Sequence, residues 1–190
     1  MKKLLIIILC IVLAILLFFS DNIYGYYRFK QFCKNEGGLK VYGKLEKDVG
    51  WMTEKYHDAL FIGRLEEVKF VRFLDGKDGR IKYDLYYVDG DRKRRKSYEK
   101  KMADTSVNPY FSWIEKRNLV HDELRLYRIS YEVVDYKTNA LLVGFYDFSY
   151  SILEQKNTLF GSSSFKRCEK KGFSLIEEYK KLINGNKGDY

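Results

Sequence analysis

Arg125-Leu-Tyr-Arg-Ile-Ser-Tyr-Glu-Val-Val134 is followed by Asp135-Tyr-Lys-Thr-Asn139 and then by Leu141-Leu-Val-Gly-Phe-Tyr-Asp-Phe-Ser-Tyr150. Tyr127, Ile129, Tyr131 and Val133 recur at every second position, the period of a strand with one face turned to a core. Asp135 to Asn139 supplies the turn chemistry, and the two runs together predict a β-hairpin.

Working outward, Val68–Leu74 and Ile81–Val88 flank Asp75-Gly76-Lys77-Asp78-Gly79, a doubled Asp-Gly signal for a second hairpin. Ile81, Tyr83, Leu85 and Tyr87 share a face. Ser97–Met102 reads as a returning edge strand, and Leu39–Tyr42 as a short strand. Asn108-Pro109 marks a turn, Tyr110–Leu119 reads as a helical turn or loop, and Trp51–Leu60 reads as a short helix. Phe173–Ile183 is amphipathic, with Phe173, Ile176, Tyr179 and Ile183 on one row. Hairpins with helices at the ends predict an α+β fold built on an antiparallel sheet.

The chain of 190 residues carries 17 Tyr, 13 Phe and one Pro, with a net charge of +9. Aromatic richness favours strands, and the size suits one domain over residues 31–190. Positive charge points to acidic partners without choosing among lipid, nucleic acid and protein.

Residues 1–30 are expected to form an N-terminal transmembrane helix. Lys2 and Lys3 precede an apolar run from Leu4 to Phe19, and Ile23, Tyr24, Tyr26, Tyr27 and Phe29 read as an aromatic belt beside Arg28 and Lys30. The alternative is a cleaved signal, against which stands the poor small-x-small match after Phe19. Asn35-Glu36-Gly37-Gly38 should end the helix. With Cys10 in the apolar run, Cys33 and Cys168 remain as an even pair, and a disulfide between them implies an oxidising compartment. These readings place the chain in a bacterial inner membrane, single-pass, with a periplasmic domain.

Candidate chemistry is sparse. Arg92, Lys93, Arg94, Arg95 and Lys96, followed by Lys100 and Lys101, form the strongest charge feature. They suit an anionic surface, or the lysines and arginines that keep an edge strand from pairing. Only Tyr98 interleaves, so specific nucleic-acid recognition is not expected. His57 lies beside Asp58, and His121 beside Asp122 and Glu123, but no HExxH, Cys-x-x-Cys or Gly-x-Ser-x-Gly pattern occurs. Glu66-Glu67 and Glu177-Glu178 are sequence neighbours that point apart. No catalytic residue, metal or cofactor is assigned.

Cys33–Tyr42 (CKNEGGLKVY), Tyr131–Leu142 (YEVVDYKTNALL) and Ser164–Cys168 (SFKRC) resemble a group of small exported or membrane-anchored proteins of Gram-negative bacteria, some prophage-borne. The resemblance implies an exported, disulfide-bearing domain and supplies no activity. The function expected from the residues is non-enzymatic binding of another envelope protein, of the immunity or phage-exclusion kind. The alternatives are an envelope hydrolase using His121, or a cytoplasm-facing domain whose basic run binds anionic lipid or nucleic acid.

Overall fold

A computed structural model describes residues 2–75, 81–88, 98–122, 125–151, 165–168 and 173–185, with the backbone alone at 2–5, 7, 15–19, 21 and 81. In chain order the elements are α1 (Lys2–Asn35), β1 (Gly38–Val41), β2 (Val49–Thr53), α2 (Tyr56–Ile62), β3 (Val68–Asp75), β4 (Ile81–Tyr87) and β5 (Tyr98–Met102). They continue as β6 (Phe111–His121), β7 (Leu126–Asp135), β8 (Leu141–Ser151), β9 (Phe165–Arg167) and α3 (Leu175–Ile183). The nine strands form one sheet in the order β1-β8-β7-β6-β2-β3-β4-β5, with β9 on β8.

The chain folds as two compact units. One comprises residues 1–38, 117–129 and 146–169, and the other residues 39–116, 130–145 and 170–190.

In the larger unit the sheet is mixed, which corrects the expected antiparallel one. Strand β2 runs parallel to both neighbours, with Trp51 opposite Val71 on β3 and opposite Phe111 on β6. Residues 51–60, expected as one helix, divide into the end of β2 and the start of α2, and 110–119 is strand rather than loop. A parallel neighbour needs a crossover, and α2 supplies it between β2 and β3. Gly50, Trp51 and Thr53 are all buried, because a strand inside a parallel set is covered on both faces. Gly50 is required there: a Cβ at that position would overlap the Phe70 ring.

The core of this unit joins Trp51, Phe73, Phe111, Trp113 and Val133 to Ile62 of α2 and to Tyr179 and Ile183 of α3. Tyr179 is fully buried edge-on to Trp51, 6.4 Å between ring centroids. The amphipathic reading of α3 therefore holds.

The β7–β8 hairpin forms as expected. Asp135 Oδ1 accepts bonds from the backbone N–H of Lys137 (3.0 Å) and Thr138 (2.7 Å) and from the Thr138 hydroxyl (2.9 Å). Asn139 takes the left-handed backbone, φ 60°, a conformation its short polar side chain tolerates. The β3–β4 hairpin also forms, while residues 76–80 of its turn lie outside the described residues.

In the smaller unit, the second half of α1 packs on β7 and β8. Phe29, Leu126, Tyr146, Phe148 and Tyr150 are the core, flanked by Phe32, Cys33, Val120 and Cys168. Cys33 and Cys168 are disulfide-bonded, Cα atoms 5.4 Å apart across 135 residues of sequence. The helix closes as expected: Glu36 and Gly37 N–H both bond Phe32 O, and Gly38 follows at φ 104°.

Among the described residues no helix is long and apolar enough to cross a membrane. This overturns the transmembrane anchor and the single-pass inner-membrane placement with a periplasmic domain. The physical reason lies in the collar. The Leu4–Phe19 run is about 24 Å long as a helix, short of a hydrocarbon core of about 30 Å. Part of the stretch that would extend it is held against the sheet instead, while Ile23, Tyr24, Tyr26 and Tyr27 remain exposed. Gly25 and Phe29 are buried, and Asn22 accepts bonds from Arg125 Nη2 (2.8 Å) and the Tyr150 hydroxyl (3.0 Å). Ile6, Ile8, Leu9, Ile11, Val12 and Leu13 are exposed along the first half of α1.

Gly25 is a sequence choice against helix propensity, which favours alanine there by about 1 kcal/mol. A Cβ at this position would lie 2.8 Å from Tyr150 Cε2 and 3.0 Å from its hydroxyl oxygen. Tyr150 is 1% exposed and cannot retreat. Gly25→Ala is therefore expected to destabilise by about 1–3 kcal/mol, the cost of overpacking. A urea midpoint at or above that of the unsubstituted protein would show that the ring has room.

Candidate functional site

The collar of α1 presents two faces set by helical spacing. Gly25, Phe29 and Phe32 point to the smaller unit's core, whereas Ile23, Tyr27 and Lys30 follow the i, i+4, i+7 row on the other side. Ile23 and Tyr27 are each 58% exposed, and Tyr24 and Tyr26 are exposed beside them. Lys30 Nζ sits 5.0 Å above the Tyr26 ring, and the Arg28 guanidinium 5.4 Å from the Phe32 centroid. Gln31 donates to the Tyr27 hydroxyl at 2.8 Å, which orients that ring. Arg28, Gln31, Phe32, Asn35 and Glu36 line a recess along the same helix. Phe32 packs on Phe148 (5.3 Å) and Tyr26 on Tyr150 (6.3 Å), so the outward rings stand on a packed base. Sequence reading found these collar residues. It did not find Asn22, Gly25 and Tyr150, which orient them, because their pairing spans most of the chain.

A second cluster lies in the larger unit. Asp58, in the first turn of α2, is buried, and its Oδ2 accepts a 3.4 Å bond from the Thr53 hydroxyl. Lys55 Nζ bonds Glu115 of β6 at 2.9 Å. His57 is nearly fully exposed, with Nδ1 3.8 Å from Asp58 Oδ1. Burial, then the charge of Glu115, raises the Asp58 carboxyl above its ordinary value, against opposing pulls from Lys55, His57 and Thr53. The hydrogen bond to Glu115 raises Lys55. Glu115 was missed because 110–119 did not read as a strand.

A carboxyl whose folded pKa is raised stabilises the fold fully below its unfolded value, near 3.9, and loses that contribution as pH rises through the folded value. At neutral pH the Asp58 charge is thus a cost. Asp58→Asn is expected to raise the thermal midpoint at pH 7 and to leave a smaller difference at pH 4. A lower midpoint at pH 7 would show that Lys55 and His57 outweigh burial.

The remaining sequence candidates separate. Arg92, Lys93, Arg94, Arg95 and Lys96 lie outside the described residues. Lys100 and Lys101 follow on β5, paired with Asp75 and Glu99. His57 and His121 are both exposed and belong to different units, and Glu123 lies outside the described residues. Glu66 contacts Lys180 at 3.8 Å, and Glu178 pairs with Lys181 at 2.8 Å. Among the described residues no group of three or more His, Cys, Asp and Glu side chains is placed to hold a metal ion. Comparison with protein families, with curated proteins and with solved structures returns no match to this chain.

Proposed function

We propose that the protein is a non-enzymatic binding protein that docks an acidic protein on the outward face of the α1 collar. The observation that carries this reading is the row of exposed rings, Tyr24, Tyr26 and Tyr27 with Ile23, on a helix whose opposite side is packed and disulfide-bonded. Tyrosine and arginine dominate binding hot spots because they offer large contact area with a polar tip. A rigid base reduces the ordering cost of association. Arg28, Lys30 and the net charge of +9 give the surface its preference for acidic partners.

A photo-crosslinking amino acid at Tyr27 or Ile23, in the full chain in living cells, tests the reading. One acidic protein should be captured at both positions and not at Tyr42, which is equally exposed (59%). Binding of that protein should weaken at least about tenfold in Tyr27→Ala, the loss of one hot-spot ring, and should weaken as salt is raised. Equal capture at Tyr42, or no capture at the collar, overturns the proposal.

A further inference from the structure

Strand β5 ends the sheet: among the described residues it pairs with β4 alone, in antiparallel register from Tyr98 opposite Tyr87 to Met102 opposite Tyr83. Edge lysines ordinarily discourage further pairing. Here they lean the other way. Lys100 Nζ sits 3.9 Å over the Tyr83 ring, 5.4 Å from Phe73, and pairs with Asp75, all on strands inward of β5. Lys101 Nζ lies 5.7 Å from Tyr86 on β4 and 2.9 Å from Glu99. Among the described residues both lysines of β5 are thus drawn toward inward partners, and Met102 beside the outer backbone edge is 76% exposed.

The hydrogen-bond phase of the ladder fixes which groups face outward. Ala103 N–H bonds Lys82 O at 3.0 Å, so residue 103 points inward. By the two-residue period 101 and 99 do likewise, while 98, 100 and 102 direct their N–H and C=O away from the sheet. An antiparallel copy of Tyr98-Glu-Lys-Lys-Met102 centred on Lys100 meets these groups in phase. Lys100 then faces its own copy in a hydrogen-bonded pair. Glu99 lies opposite the second copy's Lys101 in a non-hydrogen-bonded pair, where side chains approach most closely. Tyr98 lies opposite Met102. The segment is complementary to itself in charge, apolarity and backbone phase.

We propose that the protein self-associates through β5, two copies pairing antiparallel about a two-fold axis at Lys100 to continue the sheet. The like charges at the centre are already neutralised by Asp75 and drawn over Tyr83, while two Glu99–Lys101 pairs form across the joint. A five-residue strand pair is a small interface, so the association is weak and concentration-dependent.

The test uses the full chain, Glu99→Lys, Lys101→Glu, and a mixture of the two. Each variant alone places like charges in both cross-strand pairs, and the mixture places opposite charges in both. Sedimentation velocity should show the unsubstituted protein approaching dimer as concentration rises. Each variant alone should associate at least about tenfold more weakly, and the mixture should recover, with circular dichroism confirming that both variants are folded. An unsubstituted protein that stays monomeric overturns the proposal. So does association that ignores both substitutions, or a mixture no more associated than its components.

Discussion

Reducing the Cys33–Cys168 disulfide, or replacing both cysteines by serine, is expected to lower the unfolding free energy of the smaller unit by about 3–5 kcal/mol. The bond closes a span of 135 residues, and a cross-link of that length removes about 5 kcal/mol of chain entropy from the unfolded state, with measured losses somewhat lower. The bond is also tied in locally: Cys168 N–H bonds Phe148 O (3.3 Å) and Asp147 Oδ1 (3.1 Å), and both cysteines pack against the Phe29, Phe148 and Tyr150 core. Domains of this size have only about 5–15 kcal/mol in total, so the loss should show as faster amide exchange over residues 22–35. Trp51 and Trp113 both belong to the larger unit, so tryptophan fluorescence alone would miss it. Equal exchange in oxidised and reduced protein would refute the expectation.

Asp84→Ala is expected to cost about as much in the larger unit. Arg72 is 4% and Asp84 0% exposed. The guanidinium meets the carboxylate through two bonds, Nε to Oδ1 at 2.7 Å and Nη2 to Oδ2 at 2.8 Å. It also reaches Val107 O (2.9 Å) and Asp104 O (2.7 Å), fastening the segment after β5. The Asp84 hydrogen bond, opposed by burial, holds the Arg72 pKa above its ordinary value. Removing Asp84 strands a buried cation, which costs about 3–5 kcal/mol, whereas an apolar pair of similar volume is often neutral. Arg72→Met with Asp84→Leu should therefore recover most of the loss, and a double-mutant cycle in urea measures the coupling. A cost below about 1 kcal/mol for Asp84→Ala would place the pair among ordinary surface bridges.

The hairpins were legible from sequence because apolar and polar side chains alternate along their strands, even though the polar row of β7, with Ser130 and Glu132, is buried as well. Tyr131 and Val133 alternate with Glu132, and Asp135 and Asn139 announce the turn in residue types chosen for its backbone. The edge position of 98–102 was legible from its charge. Strand β2 was not, since burial on both faces erases alternation and leaves five residues that read equally well as helix. In β6 the alternation of Phe111, Ser112 and Trp113 gives way to the exposed run from Lys116 to Leu119, so no period persists across the strand. The cysteine pair could be matched by counting. The collar's residues were visible, but their orientation depends on Tyr150 and Arg125, more than 100 positions away, and no local pattern carries that. The same gap hid the fact that the collar's inner face is occupied by protein.

The placement of β2 between β3 and β6 also governs how the protein is made. The Lys55–Glu115 contact that accompanies this pairing spans 60 residues, which a ribosome adds in roughly 3–12 s. Throughout that interval the nascent chain carries Val49-Gly50-Trp51-Met52-Thr53, an uncharged strand rich in β-formers, with its β6-side edge bare. Such segments template association with neighbouring chains. Yield on overexpression is therefore expected to be set less by the stability of the finished protein than by chaperone occupancy and translation speed during those seconds.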